Sequence, residues 1–247
     1  MKTILVTGCS SGFGLEIARY FHDRDWNVIA TMRTPREGVF PNSERMKVLA
    51  LDVTDPESIR RAVEAAGPID VLVNNAGIGV LGALEGTSME TVRQIFETNT
   101  FGTIAMTQAV LPQFRQRRSG VVINVTSSVT LKSLPLLSVY TGSKAAVNAF
   151  TESLALELTP FAVRAHLVLP GRAPETKFGE NARSRMGGAI PEAYADLAQS
   201  VFARWAEETE VTHAVNVAEA VWRAATDASC PLRIPAGADA VSLAQSS

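Results

Sequence analysis

Tyr140-Thr141-Gly142-Ser143-Lys144 sets a phenol and an ammonium four residues apart, in a stretch whose apolar spacing predicts a helix over residues 139–158. Residues i and i+4 lie on one helix face, so the two groups can serve one site. An ordinary tyrosine, with a pKa near ~10, is a poor base at neutral pH, and a neighbouring ammonium favours the phenolate. Lowering the phenol by roughly three units takes about 4 kcal/mol. One exposed ion pair does not supply that, so the chemistry asks for a partly buried site with further positive charge. The same spacing also arises by chance on a solvent-facing helix, and its companions decide between the two. Ser127 follows a β-branched run at 121–126, thirteen residues before Tyr140, where its hydroxyl can hydrogen-bond a substrate oxygen. Asn99 and Gly102 lie inside a helical region, 88–117, where both are locally unfavourable; a kink serving a water or polar network accounts for them.

A second cluster points to phosphates. Thr7-Gly8-Cys9-Ser10-Ser11-Gly12-Phe13-Gly14 joins a first apolar run, 2–7, to a helical stretch, 12–24, in which Leu15, Ala18, Arg19 and His22 follow the helical period. Glycines allow a tight turn there, so that backbone N–H groups and the positive end of the helix face an anion. The spacing is G-x-x-x-G-x-G rather than G-x-G-x-x-G. A tight turn without a ligand is the alternative, and the position directly after the first strand disfavours it. Gly8, Ser10, Ser11, Gly12, Phe13 and Gly14 are therefore the predicted dinucleotide loop, with Ser10 and Ser11 adding hydroxyls. The acidic residue that would take a ribose 2′-hydroxyl about 20 residues on is missing. Met32-Arg33-Thr34 stands there instead. Arg33 can pair with a 2′-phosphate, which favours NADP(H), with NAD(H) as the alternative and a solvated loop arginine as the bland reading. Asp52-Val53 follows a third strand, where the carboxylate can accept from an adenine amino group. Asn74-Asn75-Ala76-Gly77 ends a fourth, so Asn74, Ala76 and Gly77 join the predicted cofactor residues. An oxidised nicotinamide would add the positive charge that Tyr140 needs.

These groups need a scaffold that brings strand ends together. Runs at 2–7, 26–32, 47–51, 69–74, 121–126, 163–169 and 232–234 read as strands. Helical stretches at 12–24, 56–66 (Asp55 as N-cap, Pro56 first), 88–117, 139–158 and 217–226 alternate with them. Strands rich in Val, Ile and Leu on both faces suit a parallel sheet covered on both sides. The expectation is one α/β domain over 1–247: a Rossmann-type, doubly wound, mainly parallel seven-stranded sheet with helices on both faces. Residues 172–212 break the alternation and read as a lid or substrate loop.

Composition narrows the function classes. The chain has 247 residues, 46% hydrophobic and 19% charged, an ordinary globular balance that excludes a disordered chain. A net charge of −2 argues against a nucleic-acid binder. Two cysteines exclude a disulfide framework or Cys-rich zinc site, and His22, His166 and His213 have no metal-ligand spacing, so no metal is expected. No run approaches the ~18 apolar residues of a membrane span, and the first residues show no signal-peptide pattern. A cytoplasmic protein acting on a small molecule is expected.

Taken together, Thr7-Gly8-x-x-x-Gly12-x-Gly14, Asp52, Asn74-Asn75-Ala76-Gly77, Asn99, Ser127, Tyr140-x-x-x-Lys144 and Pro170-Gly171 resemble the short-chain dehydrogenase/reductase family in order and spacing. The resemblance covers residues 2 to about 235 and is strongest up to Gly171. Thr7–Gly12, 30–33 and 80–82 look like the NADP-dependent branch of hydroxysteroid and retinol dehydrogenase-like enzymes. The resemblance implies that Tyr140 is general acid in reduction and general base in oxidation. Lys144 then lowers its pKa and holds the nicotinamide ribose, Ser127 polarises the carbonyl, and Asn99 anchors a water in the proton relay. It also implies cofactor contacts from Pro170, Gly171, Arg172 and Thr176, and a homodimer or homotetramer through the two long helices, whose faces carry Ala145, Ala146, Ala149 and Phe150. A non-catalytic NADP(H)-sensing regulator and a same-fold epimerase, lyase or dehalogenase are the rival classes; sensors usually lack the tyrosine or lysine.

Some positions depart from the family pattern. Thr176 falls one residue late, Gly142 replaces the usual alanine, and Thr130 replaces a common glycine after the serine strand, so the pocket wall there is expected to differ. Arg172 stands where small or apolar residues are usual. It is expected to touch the cofactor, select an anionic substrate or, slightly favoured, pair with Glu175. In the lid, Phe178, Met186, Tyr194, Leu197, Phe202 and Trp205 either line an apolar substrate pocket or dock the lid on the body. Arg183 and Arg185 read as solvated. Cys9 reads as a small side chain filling the glycine turn.

Overall fold

Seven strands pair in the order β3-β2-β1-β4-β5-β6-β7, every pair parallel. They are β1 (Thr3–Val6), β2 (Asn27–Met32), β3 (Met46–Ala50), β4 (Val71–Asn74), β5 (Gly120–Val125), β6 (Val163–Pro170) and β7 (Arg233–Ala236). The computed structural model describes residues 1–185 and 190–246, and Met186 lies outside them. Period-two alternation sends neighbouring side chains to opposite layers. Ile4 and Val6 of β1, with Val71 and Val73 of β4, pack against α1 (Gly12–His22) and α8 (Ala214–Thr226). Leu5 and Leu72 pack with α2 (Pro56–Ala66), α4 (Gly102–Arg117) and α5 (Ser138–Leu158) on the other face. Fully buried Phe21 and Phe114 anchor these layers, each contributing about 1.5–3 kcal/mol by burial. Phe21 meets Trp26 and Trp222 edge-on, with ring centroids 5.1 Å away in each pair.

The local signals act as expected at several ends. Asp55 accepts from the Glu57 amide at 2.9 Å and Pro56 opens α2. α5 ends at Leu158, and Pro160 sits in a 3₁₀ turn, Thr159–Phe161. The stretch 88–117 is not one helix. α3 (Met89–Phe96) passes through a wide π-turn, Glu97–Phe101, into α4, and that turn is the kink expected at Asn99.

The lid region carries α6 (Lys177–Ser184), a 3₁₀ turn (Glu192–Tyr194) and α7 (Ala195–Glu207). α8 starts at Ala214, three residues earlier than its apolar pattern indicates, because Asn216 accepts from the His213 amide at 3.0 Å and caps it. A last helix, α9 (Ala238–Gln245), follows β7 and was not expected. The strand order reverses between β1 and β4, which opens a crevice outside the carboxyl ends of these strands.

Candidate active site

The crevice is a cleft of about 1650 Å³. That exceeds the roughly 300–1,000 Å³ of ordinary small-molecule pockets and leaves room for a dinucleotide beside a second molecule. Gly8, Ser10, Ser11, Gly12 and Phe13 line it as the turn between β1 and α1. Gly8 adopts φ +76°, and a Cβ there would stand 2.8 Å from the Ala76 Cα, so only glycine fits without movement. Ser11 caps α1 without a side-chain hydrogen bond, leaving the first helical N–H groups for a ligand. Asn75 ties the turn down, donating to the Thr7 carbonyl at 2.9 Å, while the Thr7 hydroxyl accepts from the Asn75 and Ala76 amides at 3.0 and 2.9 Å. Cys9 is buried, its thiol donates to the Val6 carbonyl at 3.2 Å, and burial pushes it up to about 12. It is a packing residue with no thiolate to offer.

Tyr140, Ser127 and Lys144 converge further along the cleft. Ser127 leaves β5 in extended conformation and its hydroxyl meets the Tyr140 phenol. Both are buried and both line the cleft. Lys144, one turn on from Tyr140, is buried as well, and its Nζ donates to the Val125 carbonyl at 2.9 Å. Burial pushes the ammonium down to about 8. The phenol moves opposite to the sequence expectation: burial holds it well above the ordinary tyrosine value, and the Ser127 hydrogen bond lowers it by less. Desolvation outweighs the neighbouring ammonium, which is turned to a backbone carbonyl. Burial therefore favours the protonated form of the Tyr140 phenol.

Asn99 is fully buried and does not line the cleft. Its amide donates to the Ile78 carbonyl and the Ser143 hydroxyl at 2.9 and 3.0 Å, and its carbonyl accepts from the Ile78 amide at 2.8 Å. The π-turn thus clamps the cleft-lining segment after β4 and ties it to α5, where the Thr100 hydroxyl also donates to the Ser143 carbonyl at 3.0 Å. A Cβ on Gly77 would stand 3.3 Å from both the Asn99 Oδ1 and the Lys144 Nζ, which places these two groups on one side of that segment.

Residues of the 172–212 segment pack against this arrangement. Phe178 of α6 packs on Tyr140 with ring centroids 5.5 Å apart and lies against Gly79. α7 does two jobs. Ala198 and Val201 dock it on Leu81, Ala83 and Leu136, while Phe202 and Trp205 also line the cleft. Tyr194 donates to Glu85 at 3.0 Å, a docking contact rather than a pocket wall, and Leu197 is exposed and lies outside the cleft lining. Arg185 lines the cleft and is influenced by Arg33, so it is not simply solvated.

Of the other sequence candidates, Arg33, Asp52, Val53, Ala76, Gly77, Pro170, Gly171, Arg172 and Thr176 line the cleft. Asp52 also accepts from the Thr54 amide and hydroxyl at 2.9 and 2.8 Å. Thr176 sits across from Gly12, 3.5 Å from where a Cβ would be. Two candidates lie elsewhere. Asn74 points into the helical layer, donating to Thr107 and Asn124 at 3.0 and 2.9 Å, because strand alternation puts it on the Leu72 side. Gly14 packs against the turn, where a Cβ would stand 2.4 Å from the Gly8 carbonyl.

Arg172 does not pair with Glu175. Its guanidinium meets the Glu208 carboxylate at 3.5 Å and donates to the Glu208 carbonyl at 2.5 Å, while Glu175 meets His213 at 2.9 Å. Sequence reasoning missed Asp239 in the first turn of α9. It accepts from the Arg172 amide at 2.6 Å and the Thr212 hydroxyl at 2.7 Å, pinning both ends of the lid. It also missed Arg36, which donates to the Ser10 carbonyl at 2.8 Å. Neither spacing nor periodicity marks these long-range contacts.

The sequence matches the family model of short chain dehydrogenase over residues 2–187, most of the chain. This chain belongs to the short-chain dehydrogenase family. Bovine retinol dehydrogenase 8 is 39% identical over 182 residues, 69% of this chain and 58% of that protein. The chain spans about 58–64% of the length of the first curated relatives that it matches. A short-chain dehydrogenase from Streptomyces avermitilis, a solved structure, superposes with a TM-score of 0.83 at 33% identity, covering 100% of this chain and 92% of that one. The closed form of a serine dehydrogenase complexed with NADP⁺ reaches 0.81 at 26% identity, over 95% and 94%. A Brucella melitensis 3-ketoacyl-(acyl-carrier-protein) reductase complexed with NADH reaches 0.80 at 25%, over 95% and 96%.

In this short-chain dehydrogenase the site fits a nicotinamide dinucleotide. The Gly8 turn that no Cβ could share, the uncapped start of α1 and the cleft volume together form a phosphate cradle. Among the described residues, no helix is long and apolar enough to cross a membrane, and no three His, Cys, Asp or Glu side chains group as a metal site.

Proposed function

We propose that this short-chain dehydrogenase is an NADP(H)-dependent oxidoreductase that interconverts an alcohol, preferentially secondary, and its carbonyl compound, as one domain with residues 172–212 as its substrate lid. The observation that carries the reading is the buried Tyr140 phenol, beside Ser127 and one helical turn from Lys144, in the cleft that the glycine turn lines. When bound, the nicotinamide supplies or accepts the hydride. In reduction, Tyr140 donates its proton to the carbonyl oxygen as the hydride reaches the carbon, giving the alcohol; in oxidation it takes that proton back. Ser127 donates a hydrogen bond to the same oxygen and stabilises the charge developing there. Lys144 holds positive charge beside the phenol and is placed to hold the nicotinamide ribose, with Asn99 bracing the segment beside it. Gly8, Ser10, Ser11, Gly12 and Phe13 would hold the pyrophosphate, and Asp52 and Val53 the adenine. Pro170, Gly171, Arg172 and Thr176 would hold the nicotinamide end.

NADP(H) over NAD(H) is supported by Arg33, exposed at the end of β2 in the cleft with no ion pair among the described residues. The NADP⁺ complex of the serine dehydrogenase relative supports it too. The name of the retinol dehydrogenase relative and the apolar Phe202 and Trp205 support an apolar substrate of small to medium size. The exposed Ala145 and Ala149 of α5 support a homodimer or homotetramer through α4 and α5. The test is absorbance at 340 nm with NADPH, and separately NADH, over a panel of ketones, aldehydes including retinal, and quinones. Turnover with NADPH supports the reading; tighter binding of NADH than NADPH overturns the cofactor preference, and failure to bind either nucleotide overturns the reading itself.

A further inference from the structure

α5 presents Tyr140, Lys144 and Asn148 at i, i+4 and i+8, on one face. The first two belong to the site already described. Asn148 is buried, and its amide donates to the Thr130 hydroxyl at 2.9 Å. That hydroxyl donates onward to the Ser127 carbonyl at 2.8 Å, and the Thr130 amide reaches the same carbonyl at 3.2 Å. The Ser127 hydroxyl accepts from the Val129 amide at 3.3 Å, within the short 3₁₀ turn Ser128–Thr130. The helix that carries the phenol is therefore also tied, by one hydrogen bond from Asn148 that Thr130 relays to Ser127, to the turn that carries the serine.

We propose that Thr130 and Asn148 are a positioning pair that locks the Ser127 turn to α5 and so fixes the Ser127 hydroxyl against the Tyr140 phenol. The inference rests on the function proposed above, since it concerns the aim of two groups in that reaction. Threonine stands here where the sequence pattern of the family has glycine, and a glycine would leave both Asn148 and the Ser127 carbonyl without this bond. A tether from the phenol's own helix suits a reaction in which both hydroxyls must reach one substrate oxygen, because a misplacement of about 1 Å can cost about a hundredfold in rate.

The test uses Thr130→Val, which keeps the side chain's shape and removes the hydroxyl, with Thr130→Ser, which restores it. The substrate is whichever carbonyl compound of the panel above the wild type reduces fastest. Thr130→Val is expected to lower kcat roughly ten- to a hundredfold with the Kd for NADPH unchanged, and Thr130→Ser to return kcat to within about twofold of wild type. Asn148→Ala, which leaves Thr130 bonded to Ser127 but untethered, is expected to fall between them, and it carries the test if Thr130→Val does not fold. An unchanged kcat in Thr130→Val overturns the pair. So does a loss of NADPH affinity as large as the loss in kcat, or a serine variant as impaired as the valine one. Tyr140→Phe run alongside separates the two readings. Wild-type turnover in Tyr140→Phe sinks the proton-donor role itself, whereas an inactive Tyr140→Phe beside a fully active Thr130→Val sinks the positioning pair alone. A wild type that reduces nothing in the panel counts against both.

Discussion

The body of the sheet and the lid are held by different forces. From β1 to Gly171 the strands are hydrogen-bonded to their neighbours and, apart from the partly exposed edge strand β3, buried between helical layers, and the site residues sit at strand ends or on the helices packed there. The lid rests on a small satellite cluster around Leu81, Leu136, Ala198 and Val201, and its ends are tied by Arg172 to Glu208 and by Asp239. Chemistry that needs two hydroxyls and an ammonium in fixed geometry belongs on the first kind of support. Recognition of a particular substrate tolerates the second, since a lightly docked element can be rebuilt without disturbing the chemistry. The division predicts that variants in the body change kcat and variants in the lid change KM.

A large effect in the body, second only to that of the Tyr140 phenol itself, is expected at Ser127. Ser127→Ala removes a hydrogen bond to the developing oxyanion and is expected to lower kcat about 10²–10³-fold while NADPH affinity and KM change little. Steady-state kinetics with a saturating carbonyl compound would check it; a KM effect with kcat intact would break the comparison. A smaller effect, of opposite kind, is expected in the lid. Trp205→Ala removes an aromatic wall of the cleft and is expected to raise KM for an apolar substrate about tenfold, with kcat within a few-fold of wild type. A kcat collapse in that variant would mean the lid carries part of the chemistry.

The smallest effect concerns the body alone and is read as stability. His166 is buried on β6, where its Nδ1 donates to the Pro231 carbonyl at 2.9 Å and its Nε2 accepts from the Arg164 guanidinium at 3.1 Å; burial holds its pKa below the usual 6.5. Above 6.5 neither the folded nor the unfolded chain binds this proton. As pH falls below that value the unfolded chain takes the proton first, so stability falls until the folded pKa is passed. Thermal melts are expected to show a decrease in Tm as pH is lowered below 6.5 that is weaker in His166→Gln. An identical decrease in the variant would assign it to other groups.

The two regions also differ in how much of them was legible. Strands covered on both faces announce themselves as continuous apolar runs, and the turns between them carry Gly and Pro, so the sheet, the glycine turn and the Ser127, Tyr140 and Lys144 group could be read directly. Even the π-turn left a trace, as Asn99 and Gly102 are poor helix formers in mid-helix. Asn74 was misplaced although strand parity with Leu72 carried the signal: alternate residues share a face, and Leu72 faces α4. The lid and α9 resisted because their ties are long-range. Asp239 holds an amide 67 positions away, and Arg172 met Glu208 in place of the nearby Glu175. Local spacing records the partners a residue has within a turn or two and nothing of those the fold brings from far along the chain. The rise of the Tyr140 pKa was missed for a related reason, since desolvation is a property of the assembled site.

The central claim is that the Tyr140 phenol delivers the proton in carbonyl reduction. The direct measurement is kcat for NADPH consumption at 340 nm in wild type and Tyr140→Phe, together with the Kd for NADPH of each protein by fluorescence titration. The account predicts a kcat about 10²–10⁴-fold lower in the variant with the Kd unchanged, because phenylalanine keeps the ring against Phe178 and removes only the hydroxyl. A variant that reduces the same carbonyl compound at the wild-type rate would contradict it.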